Sequence, residues 1–91
     1  QGHDHPALFH NELVAEGLNW IGPTPILPLR CTAKIRYRQR DQACTVYPAA
    51  SGELRVVFDA PQRAVTPGQW VVFYDGPRCL GGGQIIQRSR A

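Results

Sequence analysis

Methionine is absent from the 91 residues, and only one of the ten basic side chains is a lysine. The missing methionine, with Gln1 at the start, leads us to expect a segment of a longer protein. No apolar run approaches the ~20 residues that a membrane-spanning helix needs, and no basic-then-apolar leader resembles a signal peptide. A membrane partner is therefore not expected. Cysteine is sparse: Cys31, Cys44 and Cys79 are odd in number, widely spaced and without a C-x-x-C. That pattern fits neither a disulfide framework nor a zinc site, and each cysteine reads as a small buried hydrophobe in a reducing compartment. No histidine or carboxylate stands in a pattern that would activate a thiol, and paired carboxylates and a Ser/His/Asp arrangement are missing too. His3, His5 and His10 offer no third and fourth ligand at a fixed spacing, so no metal is expected. Gly81-Gly82-Gly83 lacks the Gly-Lys-Ser/Thr and the following helix of a phosphate loop. It reads as a strand with a bulge or a close backbone approach.

The length allows one small domain with a single modest core. Hydrophobic residues at 43% and charged ones at 19% fit a soluble globular chain. Charge is unevenly spread. Residues 1–29 hold three carboxylates and no Lys or Arg, whereas residues 30–91 hold all ten cations against Asp41, Glu53, Asp59 and Asp75. Arg30, Lys34, Arg36, Arg38 and Arg40 fall within eleven residues. Arginine pairs bidentately with phosphates and stacks on bases, so a polyanion partner stands beside the plainer reading of a solvated strand face.

The clearest structural signal is a hairpin. Trp70 to Tyr74 is an apolar run, Asp75-Gly76-Pro77 is a tight turn, and Arg78 onward returns as a second strand. Thr66-Pro67-Gly68-Gln69 sets Pro and Gly where a type II turn uses them. Asn11 to Trp20 is open between a short helix capped by Asn11 and a strand with a helical turn, because Gly17 interrupts either. Three prolines in Gly22 to Leu29 predict an extended connector. From Arg30 the period is two: Ala33, Ile35 and Tyr37 point one way and Thr32, Lys34, Arg36 and Arg38 the other. Cys44 and Val46 form the inward set of a further strand, and Leu54, Val56 and Phe58 that of the next, which Asp59 to Arg63, with Pro61, should end. Four strands are plain and Arg78 onward adds a fifth. The fold class is all-β, a small antiparallel barrel or sandwich, with closure favoured because an open sheet of this size exposes its edges. The Trp70 strand is apolar on both faces, so its outer face should be covered by something else.

Within this frame the basic strand Lys34 to Gln39 is the strongest chemical signal. Alternating cations suit phosphates, Tyr37 suits an unstacked base or sugar, and Gln69 beside its rigid turn can hydrogen-bond a base edge or a phosphate.

Gly17 to Ile21, Cys31 to Gln39, Phe58 to Pro61, Ala64 to Gln69, and Val72 to Gly76 with Cys79 to Gly83 together resemble the C-terminal domain of the bacterial tRNA-specific 2-thiouridylases. The resemblance runs over practically the whole chain. It implies a small antiparallel β-barrel of about six strands, a barrel type similar to domain 2 of elongation factors. The expected organisation is residues 1–29 as a lead-in strand or turn and Pro-rich connector, and residues 30–91 as the barrel. It also implies a cytoplasmic parent enzyme that thiolates the wobble uridine of tRNA, using ATP and Mg²⁺ held in an N-terminal domain. The family's catalytic cysteines lie outside the matching region, so Cys31, Cys44 and Cys79 inherit no such role.

By the same resemblance, Arg36, Tyr37 and Gln69 are the tRNA-binding positions, with Lys34 and Arg38 as weaker candidates. The implied partners are the tRNA anticodon region and the parent's N-terminal and central domains. The alternative is a structural module that packs on the central domain or on a sulfur-relay protein without touching tRNA.

Overall fold

The computed structural model describes residues 9–35, 40–63 and 65–89, Ser89 for its backbone alone. Six strands account for most of them: β1 Phe9–Trp20, β2 Leu29–Lys34, β3 Gln42–Pro48, β4 Glu53–Arg63, β5 Trp70–Asp75 and β6 Arg78–Ser89. They close into a barrel in the order β1-β4-β3-β2-β5-β6, every pair antiparallel. Closure gives each of the six strands a hydrogen-bonded neighbour on both sides.

Alternation decides what fills the interior. Val71 and Phe73 of β5, Cys44 and Val46 of β3, and Leu54, Val56 and Phe58 of β4 are buried, as the two-residue period predicts. Leu13 and Ala15 of β1, Ala33 of β2 and Ile85 of β6 complete the core with Val65. Burying each large apolar side chain stabilises the fold by about 1.5–3 kcal/mol.

Asn11 to Trp20 resolves as strand. A bulge absorbs Gly17 (φ 63°), where the β1–β6 register shifts between Glu16 and Asn19. Of residues 1–29, Phe9–Trp20 is thus a full stave, hydrogen-bonded to β4 on one side and β6 on the other. Residues 21–28 are the connector, as expected from their prolines.

β2 ends at Lys34 with a bend at Ile35, and residues 36–39 of the expected basic strand lie outside the described residues. β4 differs from the expectation, continuing through Pro61 to Arg63 instead of ending at Asp59. Its ladder to β3 ends at Phe58 and its ladder to β1 resumes only at Gln62, so Pro61 sits where no donor is required. Buried Gln62 then anchors the extension, its Nε2 donating to Gln42 Oε1 at 3.2 Å and to Ala60 O at 2.8 Å.

The glycine run is a packing device. Gly81 lies opposite Phe73 on one side and Trp20 on the other, and those two rings stack at 5.7 Å across it. A Cβ on Gly81 would strike Asn19 O, one on Gly82 would come within 2.6 Å of Val71 O, and one on Gly83 within 2.8 Å of Glu16 O. The backbone approaches its neighbours too closely for any side chain, which is the close-approach reading of this stretch.

Candidate nucleic-acid interface

Antiparallel registers assign every strand end to one of two rims. Phe9 faces Arg63, Glu12 faces Ser89, Ala33 faces Gln42 and Lys34 faces Val72. One rim therefore gathers the starts of β1, β3 and β5 with the ends of β2, β4 and β6. It carries Lys34, Arg40, Arg63 and Arg88, with Asp41 and Glu12 as acids near them, Glu12 being paired to Arg55 at 2.7 Å. The other rim carries Glu16, Glu53 and Asp75 with Arg30 and Arg78.

Gln69 sits on the basic rim, in the turn that leads into β5. Gly68 takes φ 95°, and the Gln69 N–H donates to Thr66 O at 3.2 Å, as a Pro-Gly turn requires. The Thr66 N–H donates to Gln69 Oε1 at 2.9 Å, closing the turn a second time. Backbone bonds to Ile85 (Gly68 N–H to Ile85 O, 2.8 Å; Ile85 N–H to Gln69 O, 2.7 Å) tie the turn to β6. Arg88 Nη1 donates to Val65 O at 2.5 Å from the same strand. The amide oxygen of Gln69 is thereby spent on the fold, while its Nε2 has no partner among the described residues. What Gln69 can offer a ligand is a hydrogen-bond donor in a fixed place.

The strand β2 leads Lys34 to the same rim, adjacent to β5. Its ammonium lies 3.4 Å from Asp41 Oδ1 and 5.3 Å above the Tyr74 ring. Asp41 also accepts from Thr32 Oγ1 at 3.3 Å, so it fastens the β2–β3 loop back onto β2. Arg30 belongs elsewhere. At the opposite end of β2, its guanidinium donates to both oxygens of Asp59 at 2.7 and 2.8 Å and to Thr45 Oγ1 at 3.0 Å. That fork holds the Asp59 carboxyl below its usual range and raises Arg30 further. Two of the five clustered cations are thus matched by the protein's own carboxylates. Arg40 is exposed on the loop. Arg36, Tyr37 and Arg38 lie outside the described residues.

The register also joins what spacing kept apart. Cys31 is the direct partner of Cys44, and their sulfurs are 3.8 Å apart, both as free thiols. The hydrogen bond with Cys44 lowers the Cys31 pKa, helped by the Arg30 charge, while Cys44 is pushed up by that bond and by burial. Counting outward from the polar break at Arg40-Asp41-Gln42 would have set Cys44 against Arg38, so neither that break nor the spacing in sequence pairs the two cysteines. Cys79 is not part of the pair. Among the described residues no group of three or more His, Cys, Asp or Glu is arranged to hold a metal ion; His3 and His5 lie outside them. No helix among them is long and apolar enough to cross a membrane.

These features define a class: a closed six-stranded antiparallel barrel with one basic rim, on which a donor is presented by a rigid turn. The chain belongs to the family described as the aminomethyltransferase beta-barrel domain, which matches residues 10–85 and so takes in β1. It is 55% identical over 87 residues to tRNA-specific 2-thiouridylase MnmA of Protochlamydia amoebophila, covering 96% of this chain and 23% of that protein. It is 59% identical to the protein of that name from Francisella philomiragia over 94% of this chain and 24% of the relative. Against the Haemophilus influenzae protein it is 55% identical over 97% and 23%. The chain spans about a quarter of the length of these curated relatives.

Proposed function

We propose that this chain is the tRNA-holding barrel of a cytoplasmic tRNA-uridine 2-sulfurtransferase, which thiolates the wobble uridine. Supporting this most directly is identity of 55–59% along nearly all of the chain to proteins named tRNA-specific 2-thiouridylase. The barrel performs no bond-making step. Arg36 neutralises a phosphate near the anticodon, Tyr37 stacks or donates its hydroxyl, and Gln69 donates from Nε2 to a base edge or a backbone oxygen. Arg38 adds a second phosphate contact. Lys34 contributes only by exchanging Asp41 for a phosphate, which accounts for its secondary place. ATP and Mg²⁺ belong to the parent's other domains, where they activate the uridine oxygen for replacement by sulfur. The glycine run here is filled by strand packing and leaves no cradle for phosphates.

The competing reading, a barrel that packs on the parent's central domain or a sulfur-relay protein, draws on exposed Ile21 (60%) and Ile26 (89%) near the acidic rim.

Fluorescence titration of unmodified tRNA with the chain at low and moderate salt separates the two. Affinity should fall steeply with salt, and Arg36→Ala should flatten the log–log slope by about one unit. Gln69→Glu keeps the oxygen that closes the turn and removes the donor. It should weaken binding several-fold without changing the unfolding midpoint. Equal, weak binding by wild type and both variants at low salt would sink the tRNA-holding reading and favour the packing one.

A further inference from the structure

Gln69 is followed by a residue that the tRNA contacts proposed above do not use. Trp70 begins β5 with 55% of its surface exposed, the one large hydrophobic on the basic rim with that exposure among the described residues; Ile21 and Ile26 lie toward the other end. Exposing an indole forgoes burial of one of the largest apolar side chains. Here it is also held still. The turn before it is closed by Thr66 and Gln69 and stitched to Ile85, and the β5–β6 ladder pairs Trp70 with Gln84. Because Val71 points into the core, Trp70 points outward, on the same wall as Val72, Tyr74 and Lys34.

Resting on the reading that this rim meets RNA, we infer that Trp70 is a stacking platform for one unpaired nucleobase. The free Gln69 Nε2 donates to that nucleotide's edge or phosphate, and the rim cations hold the flanking backbone. The chemistry is that of single-strand recognition: a rigid aromatic face accepts any base, and cations follow the phosphates. A paired base offers no free face, so the platform selects looped-out or loop nucleotides over duplex. A protein surface covering Trp70 is the other way to satisfy an exposed indole, and the same experiment detects it.

Two labelled RNAs test this by anisotropy: an anticodon stem–loop, and the same RNA with its loop paired to a complementary strand. The wild-type chain should prefer the open loop. Trp70→Ala should weaken loop binding about tenfold, leave duplex binding and the salt slope unchanged, and abolish quenching of indole emission by the loop. Trp70→Phe should retain most of the preference, because a ring remains. The side chain is exposed, so both variants should unfold at the wild-type midpoint. If the wild type binds RNA with steep salt dependence and Trp70→Ala binds both RNAs as tightly, stacking is refuted and the basic rim stands. Equal losses on loop and duplex refute it likewise. If the wild type binds neither RNA at low salt, both readings fall. Blue-shifted Trp70 emission in the full-length protein before RNA is added overturns the platform in favour of a protein partner.

Discussion

Asp59 shows how one side chain's meaning depends on a residue distant in sequence. In the chain it reads as a strand terminator; in the barrel it is the bidentate acceptor for Arg30. Its folded pKa lies below the unfolded value, so its contribution to stability is complete above the ordinary carboxylate pKa and is lost as pH falls from there through the lower folded pKa. The raised Arg30 works in the other direction, complete below the ordinary guanidinium value and lost only as pH rises through the still higher folded pKa. In urea unfolding, Asp59→Asn should therefore lower the midpoint slightly at neutral pH, and the difference should close below about pH 4. A gap that persists at acid pH would assign the effect to hydrogen bonding alone. Gln69 was legible as a site residue because Pro67 and Gly68 declare their turn locally. That its oxygen is spent inside the turn was not legible, since a side chain's partner is a matter of geometry.

At the scale of the element, β6 is the most constrained strand. Gly81 has φ 143°, and a Cβ there would strike the β1 backbone at Asn19 and Trp20. Gly81→Ala should destabilise by about 2–4 kcal/mol, combining overpacking with backbone strain, in chemical denaturation. Gln84→Ala on the same strand is exposed and should stay within about 0.5 kcal/mol. The hairpin of β5 and β6 and the close approach at the glycines could be read beforehand, because turn residues and glycine runs carry local meaning. The passage of β4 beyond Pro61 could not. Proline is tolerated there only because neither neighbour asks for its donor, and that depends on two other strands.

For the whole molecule the decisive feature is closure by β1, which lies between β4 and β6. A chain beginning at residue 30 would lose Leu13 and Ala15 from the core and expose two long strand edges. Such a truncation should lose cooperative unfolding by circular dichroism and aggregate, whereas deleting residues 1–8 should leave the ladders of the described strands in place. A cooperative transition in the shorter chain at the original midpoint would show that β1 is an accessory. The sequence by itself determined that this protein is all-β, where its turns fall, which residues face inward, and which family it belongs to. Each of these follows from two-residue alternation, turn chemistry or contiguous blocks, all of them local. Only the tertiary structure decided that β1 closes the barrel, that Arg30 and Lys34 meet carboxylates, that Cys31 meets Cys44, and that Gln69 and Trp70 share a basic rim. Those facts arise from pairings such as Phe9 with Arg63 and Glu12 with Ser89, which join residues far apart in the chain and leave no trace in local spacing.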